Sequence, residues 1–198
     1  MSTPGPDPRA EIERIRKVSD MLCSGHAQLR DRFARKALSA DLAVLAASTW
    51  LVALTFVEPA TNRFLTPFSV PAQVWIGVLG TVTFFVTIWQ MRADWKGRSD
   101  AHRRSADMYA DVHRECGYLL AQSARISLAE CQRVLTRYDM ATGVGAPLPE
   151  KDFLGLKRHH RLKVAISKYL DSHPGTPIWF VRLVFLWRDT RSLLNNSP

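Results

Sequence analysis

The sequence predicts an all-α membrane protein, in which a two-span transmembrane helical hairpin is extended into a cytosolic helical bundle. Two long stretches carry no charged side chain: 16 residues between Asp41 and Glu58, and 28 residues between Arg63 and Arg92. The net charge of +9 is therefore concentrated in the flanking regions. In both flanks, residues suited to a helix core recur at intervals of three and four positions, which is typical of packed helices. Together these features exclude a disordered chain and a disulfide scaffold.

Residues 1–36 are predicted to form an N-terminal cytosolic helix that continues into the first apolar segment. Seven residues follow one another at alternating intervals of three and four, which places them along one side of a helix. Two of them, Ser19 and His26, are polar, and polar groups at core positions fix the register of packed helices. This first seam consists of Ile12, Ile15, Ser19, Leu22, His26, Leu29 and Phe33.

Residues 37–91 are predicted to form the transmembrane hairpin, with spans at about 37–57 and 70–90. Each span has 21 residues, and a helix of that length crosses about 30 Å of hydrocarbon. Trp75 and Trp89 stand near the two ends of the second span, as aromatic residues at membrane interfaces do.

Basic residues flank the hairpin on both sides, whereas the 12-residue connecting loop at 58–69 contains one Arg and one Glu. By the positive-inside rule, both termini are expected in the cytoplasm. Basic side chains next to a membrane attract anionic headgroups, each contributing about 1 kcal/mol. The candidate contacts for anionic lipid are Arg32, Arg35, Lys36, Arg92, Lys96 and Arg98.

Each span also carries polar or small residues along one side. We refer to those of the second span as the polar stripe and to those of the first span as the polar line. Two interpretations stay open: ordinary helix packing with hydroxyls bonded back to the backbone, or a polar path in an oligomer. The candidate pore-lining residues are Gln73, Gly77, Gly80, Thr83, Thr87 and Gln90 in the stripe, and Asp41, Ser48 and Thr55 in the line.

Residues 92–140 contain no proline and are predicted to form one long cytosolic helix. This helix carries a second seam with the same intervals, and the simplest arrangement packs it against the N-terminal helix. The second seam consists of His102, Ser105, Tyr109, Val112, Cys116, Leu119, Ser123 and Ile126.

Residues 147–198 are predicted to form C-terminal cytosolic helices. The first begins near Pro149, has Glu150 and Asp152 in its first turn, and ends before Pro174. This helix is expected to be a third partner for the two seams. The last apolar stretch is too short and too often interrupted by arginine to cross a bilayer, so we expect it at the membrane surface or as a cap on the bundle.

The residues that usually carry chemistry form no recognisable pattern in this chain. No nucleophile–base arrangement, carboxylate pair or His/Cys spacing typical of a metal site is evident. We therefore expect no enzymatic activity, no cofactor and no metal. Because the basic residues lie mostly near the predicted spans, anionic lipid explains them and no nucleic-acid partner is expected.

Two stretches carry a resemblance to a known family. They are WKGRSDAHRRSADMY at 95–109 and a late helix with Lys157, His160, Lys163, Ile166, Ser167, Lys168 and Leu170. With the two-span layout, they resemble the SLATT family over roughly residues 12–174. These are two-span effector domains associated with bacterial nucleotide-signalling defence systems. The resemblance implies a multi-pass protein of the inner (plasma) membrane that perforates it when infection is sensed.

Two functions remain open from the sequence. The first is an oligomeric pore-forming effector in antiphage defence, with the lipid bilayer, further copies of the chain and a separate sensor or nucleotide-signalling protein as partners. The alternative is a membrane-anchored adaptor, whose spans only hold it in place while its cytosolic helices recruit a partner protein.

Overall fold

The computed structural model describes residues 7–56, 66, 71–122 and 126–195. The described residues form six helical segments and confirm the all-α class. Segments α2 and α3 are separated only by Asp94 and follow each other as a nearly continuous rod. The segments are α1 Pro8–Phe56, α2 Ala72–Ala93, α3 Trp95–Ala121, α4 Leu128–Val144, α5 Glu150–Ser172 and α6 Ile178–Asn195.

Two helices are long and apolar enough to cross a membrane. One is α1, which has 49 residues, and the other is the 50-residue rod formed by α2 and α3. The N-terminal helix and the first predicted span are thus parts of one unbroken helix. Three parts of the hairpin prediction lie outside the described residues. They are the end of the first span at 57, the start of the second span at 70, and the loop between the spans apart from Thr66.

The core of the helical bundle forms where the two predicted seams meet. Ile12 and Ile15 of α1 are fully buried in one cluster with Val112 and Cys116 of α3. Residues of α4, including Val134, complete this cluster. Burying apolar side chains of this size contributes about 1.5–3 kcal/mol each, so the seams account for much of the stability of the bundle. The buried members of both seams confirm them as contact faces of α1 and α3; of the second seam, Ser123 lies outside the described residues and Ile126 follows the end of α3.

The prediction of one uninterrupted helix over 92–140 is wrong. Segment α3 ends at Ala121, and a new helix, α4, begins at Leu128. The physical reason is a capping box: Ser127 Oγ accepts the Glu130 N–H at 3.2 Å, and the Glu130 carboxylate accepts the Ser127 N–H at 2.9 Å. These bonds satisfy backbone groups that a helix start leaves open, so a new helix begins without any proline.

Segment α4 folds back along α3 in the antiparallel direction. Its Arg133 and Arg137 both reach the Glu115 carboxylate, at 2.9 and 2.8 Å. Further along, the Ser105 hydroxyl accepts the backbone N–H of Ala146 at 2.8 Å, just after α4 ends. The chain therefore closes a helical hairpin where a straight rod was predicted.

Segment α5 packs against α1 and supplies the predicted third partner. It begins directly after Pro149, as predicted, and runs antiparallel to α1. Arg32 lies 3.4 Å from Asp152 near one end of the contact, and Leu156 covers Gly25 further along. The packing of α5 thus extends from the start of the predicted first span toward the N-terminus of α1.

Segment α6 leaves most of its apolar surface uncovered. Its Phe185 ring lies 6.2 Å from the ring of Tyr169, which places α6 against the end of α5. Val181 is buried, whereas Trp179 and Trp187 are each 65% exposed. Segment α6 therefore caps the bundle only in part, through the face that carries Val181 and Phe185.

Asp94 makes the joint between α2 and α3. Its φ of 44° lies in the left-handed region, where residues other than glycine are uncommon. The Asp94 carboxylate accepts the Gly97 N–H at 3.1 Å and so caps α3. A Cβ atom at position 97 would collide with that carboxylate, which explains why a glycine stands there.

We expect Ser127→Ala to loosen the start of α4, because the substitution removes the hydroxyl half of the capping box. Loss of such a cap costs about 1 kcal/mol. Hydrogen exchange should become faster in peptides that cover 127–135 and stay unchanged in α1. The control is Ser167→Ala, at an exposed site inside α5. Unchanged exchange at 127–135 would contradict a role of the box in starting α4.

Candidate functional site in the membrane-proximal hairpin

The candidate site is built on the contact between the apolar parts of α1 and α2. The rings of Trp50 and Trp75 stack with centroids 6.2 Å apart. The absence of a side chain at Gly80 lets Leu51 approach to 3.7 Å from the position a Cβ would occupy. Small residues permit such close helix contacts where the surroundings are apolar.

A polar cluster joins α1 to the α2–α3 joint at the start of the first predicted span. The Asp41 carboxylate accepts a hydrogen bond from the Gln90 side-chain amide and lies 2.9 Å from Lys96 Nζ. Two candidate pore-lining residues and one candidate lipid contact therefore bind each other. A cavity of about 310 Å³ adjoins this cluster and is lined in part by Ala37 and Thr87. The ion pair compensates the charge of a carboxylate at the edge of an apolar segment.

The polar stripe is divided between two environments. Gly80, Thr83 and Gln90 are half-buried, and two of them contact α1 directly. The other members of the stripe are exposed in the single chain. The exposed members are Gln73, Gly77 and Thr87.

The threonine hydroxyls favour the packing interpretation at two positions and not at a third. Thr55 Oγ1 donates to the Leu51 carbonyl and Thr87 Oγ1 to the Thr83 carbonyl, each at 2.8 Å. Such back-bonding is what hydroxyls in membrane helices commonly do. Thr83 Oγ1, in contrast, is buried and has no hydrogen-bond partner among the described residues. Ser48 is half-buried and Thr55 is exposed, so the polar line also has two environments.

The six candidate lipid contacts fall into two groups. Arg32 pairs with Asp152, and Lys96 pairs with Asp41, so these two cations are engaged in ion pairs at the protein surface. The other four are exposed and form no ion pair with a described residue: Arg35, Lys36, Arg92 and Arg98.

A groove of about 730 Å³ runs along α1 and the α2–α3 joint beside these cations. Its wall contains Ala40 and Ala43 of α1 and Trp89 of α2, and its lining also includes Lys36 and Arg98. An apolar wall next to two cations is the chemistry that an acyl chain with an anionic headgroup requires.

His26 and His102 meet inside the seam between α1 and α3, on the side of the Asp41 cluster that faces away from the apolar segments. Their Nδ1 atoms are 3.0 Å apart, so the N–H of one ring donates a hydrogen bond to the unprotonated nitrogen of the other. Tyr109 stacks on His26 with centroids 5.5 Å apart, and Phe33 stacks on His102 at 5.6 Å. Burial, together with repulsion from His102, lowers the pKa of His26 to about 4, and burial lowers the pKa of His102 as well.

The sequence analysis placed both histidines on seams but missed that they pair. Each is the polar residue nearest the hairpin on its own seam, but the seams do not fix how far one helix is shifted along the other, so the pairing did not follow from them. Among the described residues, no group of three or more His, Cys, Asp and Glu side chains is placed to hold a metal ion.

Comparison with known proteins adds no relative: no protein-family model, curated protein or solved structure matches the chain.

The histidine pair predicts loss of stability in acid. The unfolded chain protonates His26 near pH 6.5, whereas the folded chain does so only near pH 4, so the unfolded state binds more protons between these values. The contribution of His26 to the free energy of unfolding is therefore complete above about pH 6.5 and is lost as the pH decreases toward 4.

We therefore expect His26→Leu to give a flatter dependence of the unfolding midpoint on pH than the parent chain. Chemical unfolding of the detergent-solubilised protein between pH 7.5 and 4.5 measures it. His159→Leu is the matched control, because His159 is exposed on α5 and its replacement should leave the slope unchanged. Equal slopes for the parent and His26→Leu would show that the pair does not titrate with folding.

Proposed function

We propose that this protein is a membrane effector whose hairpin assembles with further copies into an oligomeric pore. The observation that carries the proposal is the exposure of Gln73, Gly77 and Thr87 on one side of α2, whose other exposed residues between 72 and 91 are apolar except for Thr81. A polar amide that faces hydrocarbon is costly unless protein or water covers it. Two helices cannot enclose a water path, so several hairpins are needed to surround one.

The exposure of the apolar segments supports insertion of the hairpin in a bilayer. Leu45 is 62% exposed in the first segment, and Phe84 and Phe85 are 62% and 63% exposed in the second. In a soluble helical core such residues would be buried against other elements. Lipid tails would cover them here, with the exposed cations Arg35 and Arg98 near the cytoplasmic headgroups.

The resemblance to the SLATT family supports the biological setting of the proposal. Under it, the protein lies in the inner membrane with both termini in the cytoplasm and acts in antiphage defence. A separate sensor or nucleotide-signalling protein would supply the trigger. The pore would then harm the infected cell by dissipating the membrane potential.

One observation favours the alternative function of a membrane-anchored adaptor. On α6, Trp179, Leu183 and Trp187 are all more than half exposed, and large apolar patches on cytosolic surfaces commonly mark protein interfaces. The hairpin would then be an anchor, and α6 would recruit the partner protein.

Cysteine labelling of intact cells tests the topology. A thiol introduced by Thr61→Cys in the connecting loop should react with a membrane-impermeant maleimide, and one introduced by Arg104→Cys should react only after permeabilisation. Arg104 is exposed on α3, so its protection in intact cells reports the membrane and not burial. The parent chain with its three cysteines is the background control. The opposite labelling pattern would overturn the proposed orientation.

The double variant Thr83→Val, Thr87→Val tests the pore against the anchor. It preserves side-chain shape and removes two hydroxyls of the stripe, so a water path along this face should lose its lining. We expect normal insertion and association but a loss of membrane depolarisation on overexpression, measured with a potential-sensitive dye.

The matched control is Thr49→Val, Thr81→Val. Both control hydroxyls donate to backbone carbonyls at 2.8 Å and lie outside the stripe and the line. This control should depolarise the membrane as the parent does. Full depolarisation by the Thr83 and Thr87 variant would remove the stripe as the pore lining, and a parent chain that never depolarises membranes would favour the adaptor.

A further inference from the structure

A second cavity, separate from the hairpin, opens between α1 and α5. It has a volume of about 460 Å³, within the usual range for small-molecule sites. We call it the α1–α5 groove. Its lining residues are Lys17, Val18 and Met21 of α1, and Lys157, His160, Arg161, Val164, Ala165 and Lys168 of α5.

The rim of the groove carries an uncompensated positive charge. Four cations line it, Lys17 from α1 and three from α5, and none forms an ion pair with a described residue. The nearest acidic contact is Asp20, whose carboxylate lies 3.9 Å from Nε2 of His160. Four like charges around one cavity repel each other, and a bound polyanion would remove that repulsion.

The floor of the groove is apolar. Val18 and Met21 face Val164 and Ala165 across it, so a bare inorganic ion would leave this surface unused. His160 stands between floor and rim with a side chain 15% exposed, and its buried Nδ1 has no hydrogen-bond partner among the described residues. A ligand with both an anionic part and a flat or apolar part would contact both the cations of the rim and the apolar floor.

The position of the groove argues for a soluble ligand. Lys17 precedes Ala37, where the first predicted span begins, by 20 residues of one unbroken helix. At 1.5 Å per residue this separation is about 30 Å, so headgroups of the membrane that holds the hairpin do not reach the groove.

From these observations we infer that the α1–α5 groove binds a soluble organic phosphate. The phosphate groups lie between Lys17 of α1 and the cations of α5, where the Arg161 guanidinium can bind two oxygens at once. The apolar or flat part of the ligand rests on Val18 and Val164. This site is independent of the pore, because none of its residues belongs to the hairpin.

Calorimetric titration of the full-length chain in phosphatidylcholine nanodiscs tests the inference, with ATP as the probe. ATP should bind, inorganic triphosphate should bind at least tenfold more weakly, and adenosine should give no measurable heat. Absence of ATP binding, or equal affinity for ATP and triphosphate, would overturn the assignment of a ligand with a flat part.

Paired variants separate a built site from general charge attraction. Lys157→Gln, Arg161→Gln removes two exposed cations of the groove and should weaken ATP binding at least tenfold. Lys151→Gln, Arg158→Gln removes one Lys and one Arg from exposed positions of the same helix that do not line the groove, and should leave the affinity within twofold. An equal loss in both pairs would reduce the binding to non-specific attraction and overturn the inference.

Short-chain dihexanoyl-phosphatidylglycerol distinguishes the two sources of a phosphate group. It should fail to displace ATP if the groove takes a soluble ligand. Heat from this lipid without any heat from ATP would assign the groove to lipid headgroups and overturn the proposed soluble source. Because none of these titrations measures conductance, their outcome does not depend on whether the hairpin forms a pore.

Discussion

The packing of α1 against the α2–α3 rod is the interaction on which the rest of the structure depends. One face of α1 buries Ile12 and Ile15 against α3, and the same helix continues without a break to contact α2. The short segments α4 and α5 then complete the core on either side of this pair. Because most helical stability in proteins comes from packing of an apolar face, α4 and α5 depend on the long pair for a surface to pack on.

The seams could be predicted from the sequence because they follow from helical periodicity alone. Residues at intervals of three and four share a face wherever the helix lies, so the burial of Ile15 and Val112 needed no knowledge of the fold. The break before α4 was missed for a different reason. The absence of proline was given more weight than the capping box at Ser127 and Glu130, although that pattern is visible in the sequence and marks a helix start directly.

The polar contacts of the candidate site could not be predicted in the same way. The contact of Asp41 with Gln90 and Lys96 depends on how far one helix is shifted along the other, and on the left-handed backbone at Asp94. The meeting of His26 with His102 depends on the same shift. Periodicity determines which face a residue occupies but leaves this axial offset open, and the polar stripe shows the result, since only part of it faces α1.

The joint at Asp94 makes the two long partners mechanically unequal. A backbone hydrogen-bond ladder without interruption is stiff, so a push or twist applied to α1 at Lys17 is transmitted along the axis to the apolar half. The α2–α3 rod, in contrast, contains a joint at Asp94. There the regular helix of α2 ends and that of α3 begins around one residue with a left-handed backbone. Rotation of α2 about this residue would break the contacts of Asp41 with Gln90 and Lys96, which hold both sides of the joint to α1. One long helix of the pair is therefore uninterrupted, whereas its partner is interrupted at a single residue that α1 itself holds in place.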